Sequence, residues 1–285
     1  MNLLDAICRS KRIEIARQKS LNPLKGTFPA MTDSLRKMVS FKQALAGSDS
    51  GIIAEFKRKS PSKGWINPDA DVTHIVQSYE TAGATAISCL TDEYFFGGRF
   101  DDFKKACDAI SRIPLLRKDF ILDEYQLYQS KAMGADVVLL IAACLTAEEI
   151  ARFTSIAHGL DMEVLLEIHE ESELPSICPD VDVIGINNRS LKSFVTNIQR
   201  SLDLVSLIPD SFLKISESGL SSPETVIQLR QAGFRGFLMG EIFMKTNDPG
   251  ETFREFIGEI MNYELTPQSP KGGVKVSFRG LGGEL

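Results

Sequence analysis

From residue 50 onward the chain repeats one pattern eight times: a short apolar run rich in β-branched residues, then a longer segment with helical spacing and polar flanks. The runs are Ile52–Lys57, Ala86–Thr91, Pro114–Lys118, Asp136–Ile141, Met162–Glu167, Asp182–Asn187, Phe212–Glu217 and Arg235–Gly240. Their starts lie 20 to 34 residues apart, enough for one strand, one helix and two loops. The runs are near-continuously apolar rather than alternating, which marks strands covered on both faces, as in parallel sheets. Eight successive βα units predict an α/β chain closed on itself, a (β/α)8 TIM barrel.

The intervening segments carry helix punctuation. Thr146-Ala-Glu-Glu149 reads as a capping box for a helix ending near Gly159, and Ser222-Pro223-Glu224 as an N-cap followed by proline at the first helical position, with Gly233 past the end. Residues 1–50 stand outside the repeat. They are expected to form an N-terminal helical extension, with one helix around Leu4–Ala16 and another over Ser34–Ala46, covering the closed N-terminal end of the barrel. Residues 51–263 are expected to be the catalytic barrel. Residues 264–285, where two prolines and five glycines interrupt any period, are expected to be a flexible tail.

Several function classes are excluded by composition. Thirty-two Lys plus Arg against 38 Asp plus Glu give the 285 residues a formal charge of −6, so no nucleic-acid partner is expected. The longest apolar run, Val137–Leu145, is too short to span a bilayer, and no membrane partner is expected. Asp5 and Glu14 interrupt the N-terminus, which does not read as a signal or transit peptide, and a cytoplasmic location follows. The five cysteines form no C-x-x-C pair and only three histidines accompany them, so neither a metal site nor a disulfide framework is expected. Cys89 and Cys144 sit in apolar runs and read as buried, inert thiols in a reducing compartment.

In such a barrel the reactive groups gather at the C-terminal strand ends. Those ends carry Glu55 and Lys57 (first strand), Thr91 (second), Lys118 (third), Glu167 (fifth), Asn187 and Arg189 (sixth), Glu217 and Ser218 (seventh), and Gly240 and Glu241 (eighth). Burial and like charge lower a lysine pKa and burial raises that of a carboxylate, so the set suits acid/base work. A Schiff base on Lys118, as in an aldolase acting on a sugar phosphate, and plain ion pairing at the rim stay open beside it. Glycine-rich turns after strands seven and eight, Ser218-Gly219 and Gly240-Glu241, suit a phosphate group.

The blocks Ile53–Ser62 (IAEFKRKSPS), Leu90-Thr-Asp-Glu93, Phe96-Gly-Gly98, Leu116-Arg-Lys-Asp-Phe120, Leu165-Leu-Glu-Ile168, Ile184-Gly-Ile-Asn-Asn-Arg189, Ser216-Glu-Ser-Gly219 and Phe237-Leu-Met-Gly-Glu241 occur in this order. Together they resemble the indole-3-glycerol phosphate synthase family over about residues 1 to 262. The resemblance implies a cofactor-free carboxy-lyase of tryptophan biosynthesis. Its substrate would be 1-(2-carboxyphenylamino)-1-deoxyribulose 5-phosphate, converted to indole-3-glycerol phosphate, CO2 and water. It further implies Lys118 as general acid in ring closure and Glu167 as its partner carboxylate. Lys57 would hold the substrate carboxylate and serve as acid in dehydration, with Glu55 beside it, and which lysine makes which transfer stays open. Asn187, Arg189, Glu217 and Ser60 fall among the substrate contacts, Ser218, Gly219, Gly240 and Glu241 at the phosphate, and Phe96 and Phe120 along the anthranilate ring. Tyr94 and Asn188 depart from the family pattern. The partners expected are a small phosphorylated substrate and loose association with other tryptophan-pathway enzymes, the chain itself being a monomer.

Overall fold

The computed structural model describes residues 3–23, 37–190 and 195–265. The tail expected over 264–285 lies outside the described residues from 266 onward. Among the described residues eight parallel strands close a barrel: β1 (Ile52–Phe56), β2 (Ala86–Leu90), β3 (Leu115–Lys118), β4 (Val137–Ile141), β5 (Glu163–Ile168), β6 (Val183–Asn187), β7 (Leu213–Glu217) and β8 (Gly236–Met239). Each begins and ends within one residue of its predicted run. The ring closes where β1 pairs with both β2 and β8, Ile53 lying opposite Ala86 on one side and Leu238 on the other.

The continuous apolar runs are explained by burial on two faces. Ile53, Leu116, Leu165 and Ile215 point into the barrel with Leu139, Val183 and Leu238, while Ala54, Ile87, Val138, Leu140 and Leu166 point outward beneath the helices. Each fully buried aliphatic side chain contributes about 1.5–3 kcal/mol of transfer free energy. The predicted helix starts are present. Both halves of the Thr146/Glu149 capping box form at the helix Ala147–Gly159, and the Ser222 side chain accepts from the Thr225 N–H ahead of Pro223–Gln231. Between β5 and β6 the repeat departs from expectation: a 3-10 turn, Glu171–Ser176, replaces the α-helix, and Pro175 inside it removes a backbone donor.

The two N-terminal helices occupy opposite ends of the barrel. Helix α2 (Phe41–Ala46), N-capped by Ser40, sets the buried Phe41 and Leu45 into the interior layer at the N-terminal end, where a Cβ on Gly236 would lie 2.9 Å from Leu45. It is shorter than the helix expected from residue 34; residues 34–36 lie outside the described residues, and 37–40 are not helical. Helix α1 (Leu3–Leu21) does not cover the closed end. Its buried Lys11 stands 3.0 Å from Asp92 and 3.0 Å from Asp119, which follow β2 and β3 at the C-terminal side. A buried ammonium requires carboxylate partners, and these stand at the mouth, so α1 docks there. Among the described residues no helix is long and apolar enough to cross a membrane.

Candidate active site

Side chains two residues apart on a strand share a face, so the interior layer of Ile53, Leu116, Leu165 and Ile215 dictates the layer above it. That layer is Glu55, Lys118, Glu167 and Glu217, one side chain from each odd-numbered strand. TIM-barrel interiors are built from such four-residue layers, but here the top one is ionic: three carboxylates around one ammonium. Lys118 Nζ lies 2.7 Å from Glu167 Oε2 and 3.0 Å from Glu217 Oε2, and Lys57 Nζ lies 2.7 Å from Glu55 Oε1.

Crowding Glu167 and Glu217 against Lys118 separates the proton affinities of the two carboxyls. Burial, reinforced by repulsion from Glu167, pushes Glu217 up to about 8. Burial works in the same direction on Glu167, but the Lys118 ammonium, helped by His169, overcomes it and holds that carboxyl down to about 2. Burial likewise opposes the charge on Lys118, and its carboxylate neighbours, Glu167 first, hold it above the ordinary lysine range. This reverses the expectation of a lowered lysine. It also disfavours a Schiff base, which requires a neutral amine.

The residues anticipated at strand ends and turns, from Glu55 to Glu241, line one cavity of about 180 Å³. Thr91 is the exception: it is not among the lining residues, its hydroxyl donating to Asp119 and accepting from Arg117. Phe96 and Phe120 face each other with ring centroids 6.1 Å apart, forming an aromatic wall. The Asn187 side chain accepts from the Arg189 N–H at 3.0 Å, and the Arg189 guanidinium donates to Ser62, joining the loops after β6 and β1. Ser60 lines the cavity from the latter loop.

The turn after β7 has special backbone geometry. Ser218 and Gly219 both have positive φ, 68° and 74°, and a Cβ on Gly219 would strike Thr196. The strained Ser218 is held by Asn188, whose buried amide donates to Ser216 Oγ and to the Ser218 carbonyl. On the other side of the cavity a Cβ on Gly240 would lie 2.7 Å from the Glu55 carbonyl, so the turn after β8 and strand β1 can approach this closely only with glycine. Among the described residues no group of His, Cys, Asp or Glu is arranged to hold a metal ion.

With this geometry in hand, comparison with known proteins is decisive. Residues 4–256 match the family model described as Indole-3-glycerol phosphate synthase. The chain belongs to the indole-3-glycerol phosphate synthase family. An indole-3-glycerol phosphate synthase of Bacteroides thetaiotaomicron is 51% identical over 259 residues, covering 91% of this chain and 99% of that protein. Those of Verminephrobacter eiseniae and Polaromonas naphthalenivorans are 42% and 40% identical, covering 87% and 90% of the chain and 96% and 99% of their own lengths.

The match to the indole-3-glycerol phosphate synthase model takes in α1, and the structure explains why that helix belongs with the site. Leu3 and Ile7 contribute to the cavity wall, and Lys11 ties the helix to Asp92 and Asp119. Asp119 is also held by Arg117 at 2.9 Å, and Asp92 caps the short helix Glu93–Phe96 that carries Phe96. Sequence reasoning gave no site role to Leu3, Ile7, Lys11, Asp92, Arg117 or Asp119. It missed His169 as well, 3.3 Å from the Oε1 of Glu167 and buried behind it. The spacing Glu167-x-His169 was a readable signal, since the two side chains share a face at the end of β5.

Proposed function

We propose that the chain catalyses ring closure, decarboxylation and dehydration of 1-(2-carboxyphenylamino)-1-deoxyribulose 5-phosphate to indole-3-glycerol phosphate, and that the ionic top layer of the barrel performs it. The observation that carries this reading is Lys118 held as an ammonium by Glu167 and Glu217 at the base of a cavity with an aromatic wall.

Ring closure requires a proton at the ribulose carbonyl oxygen as the ring carbon bearing the carboxylate attacks the carbonyl carbon. Lys118 is that acid. The attack leaves positive charge on the anilino ring, and Glu167, ionised beside Lys118, stabilises it. Loss of CO2 returns the bonding electrons to the ring. That loss restores the aromatic benzene ring, and dehydration then removes the new hydroxyl as water while Glu167 takes a proton from the adjacent CH2, completing the five-membered ring of the indole. Lys57 first holds the departing carboxylate and then supplies the proton to the hydroxyl, while Glu55, 2.7 Å from its Nζ, orients it.

Binding is divided among the remaining lining residues. Phe96 and Phe120 flank the anthranilate ring. Asn187, Arg189, Ser60 and the protonated Glu217 meet the ribulose portion, and the backbone N–H groups of Ser218-Gly219 and Gly240-Glu241 receive the phosphate. Purified protein given this substrate should yield fluorescent indole product with one CO2 released per turnover. Absence of product from folded protein would refute the assignment.

A further inference from the structure

Cys8, on α1, and Cys144, in the short turn Ala142–Cys144 that follows β4, are 136 positions apart in sequence, yet their sulfurs share a hydrogen bond at 3.6 Å. Cys144 is not the fully buried thiol its apolar surroundings suggested, since both it and Cys8 are partly exposed, although its contact with Cys8 and its burial push its thiol up. Among the described residues the other cysteines have different neighbours. Cys107 faces the Gly134 carbonyl, Cys178 faces Thr154, and Cys89 is fully buried. Cys8 also borders a surface depression shared with Asp5, Arg9 and Arg12.

We propose that Cys8 and Cys144 are a dithiol site that closes to an intramolecular disulfide and fastens α1 onto the mouth of the barrel. A disulfide requires its sulfurs about 2.05 Å apart, so the pair must approach by roughly 1.5 Å, a shift within reach of side-chain rotation on a partly exposed helix. Cys8 is the attacking group. Its hydrogen bond with Cys144 and the nearby Arg12 guanidinium hold its thiol below the ordinary value against partial burial. The co-reactant is a low-molecular-weight disulfide. The Cys8 thiolate attacks one of its sulfurs, forming a mixed disulfide and expelling one thiolate. Cys144 then loses its proton and attacks the Cys8 sulfur, expelling the second. The protein dithiol is oxidised by two electrons, and the reagent is reduced to two thiols.

The position gives the bond a consequence. Ile7, beside Cys8, and Leu3 form part of the cavity wall, and Ile141, at the end of β4, forms another part. The cross-link therefore ties α1 to the turn after β4 and adds a covalent hold to the contacts that dock the helix in the reduced protein, the ion pairs of Lys11 and Lys19 and the buried Ile7 and Ile15.

The test uses the full chain treated with glutathione disulfide. The expected product is a monomeric protein lighter by two hydrogens, giving a Cys8–Cys144 linked peptide in a non-reduced digest. The urea concentration at which turnover is lost should rise, and dithiothreitol should reverse the shift. Cys8→Ser and Cys144→Ser should each keep the turnover of the reduced parent and show no shift. A stable glutathione adduct on Cys8, a cross-link between chains, or a linked peptide with an unchanged urea midpoint would each overturn the proposal.

Discussion

Glu217 meets Lys118 at 3.0 Å through Oε2, while its Oε1 has no hydrogen-bond partner among the described residues and lies against Gly185. A buried carboxylate oxygen without a donor is costly, and the cost is relieved when the group carries a proton. The glutamate that the sequence places among substrate contacts therefore holds its proton more tightly than an ordinary carboxyl, while its neighbour Glu167 stays ionised against Lys118.

The Glu217 proton has a consequence for stability. Its folded-state value near 8 stands above the ordinary 4.5, so unfolding releases a proton between those pH values and stability falls as pH rises through that window. The cost is absent below 4.5 and complete above about 8. Glu217→Gln removes it. Urea unfolding at pH 5 and pH 8.5 should show the variant gaining stability relative to the parent at the higher pH; an equal difference at both would contradict the assigned proton.

Gly185 on β6 leaves the space that Glu217 occupies. An added Cβ would lie 2.3 Å from Glu217 Oε1 and 3.2 Å from Leu165 Cδ1. Gly185→Ala should displace the carboxyl, shift the bound ribulose with it and lower kcat by on the order of 10²-fold, the penalty for a misplacement of about 1 Å. Far-UV circular dichroism should remain that of the parent. Full activity in the alanine variant would show that the position of Glu217 is unimportant.

Lys11 is the sole cation bridging Asp92 and Asp119 to α1 among the contacts of the described residues. Lys11→Met leaves those buried carboxylates short of a partner, and such removals cost about 3–5 kcal/mol. Arg117 retains part of the compensation at Asp119, so the lower figure is the expected one. Chemical denaturation of parent and variant measures it directly, and a difference below about 1 kcal/mol would mean that α1 is held by its apolar face alone.

Much of this arrangement was legible in the sequence because strands have period two. Once Ile53, Leu116, Leu165 and Ile215 are interior, Glu55, Lys118, Glu167 and Glu217 must follow on the same face, and the eight apolar runs locate those strands to within a residue. Long-range docking was not legible. The position of α1 depends on Lys11 meeting carboxylates more than 80 residues away, and no local pattern encodes that pairing. Thr91 misled because the strand-end rule says where a residue sits and not where its hydroxyl turns. The direction of the Lys118 shift failed for a related reason: burial is readable from an apolar run, whereas the number of carboxylates converging on one ammonium emerges only when the barrel closes.

Steady-state kinetics of Lys118→Ala with the carboxyphenylamino-deoxyribulose phosphate tests the central claim most directly. An acid that acts in the transition state contributes to kcat and little to ground-state binding. The variant should therefore lose at least about 10²-fold in kcat, within the range for general acid catalysis, and bind substrate with an affinity close to that of the parent. Turnover within a few fold of the parent, or loss of substrate binding with kcat retained, would contradict the assignment of Lys118 as the acid of ring closure.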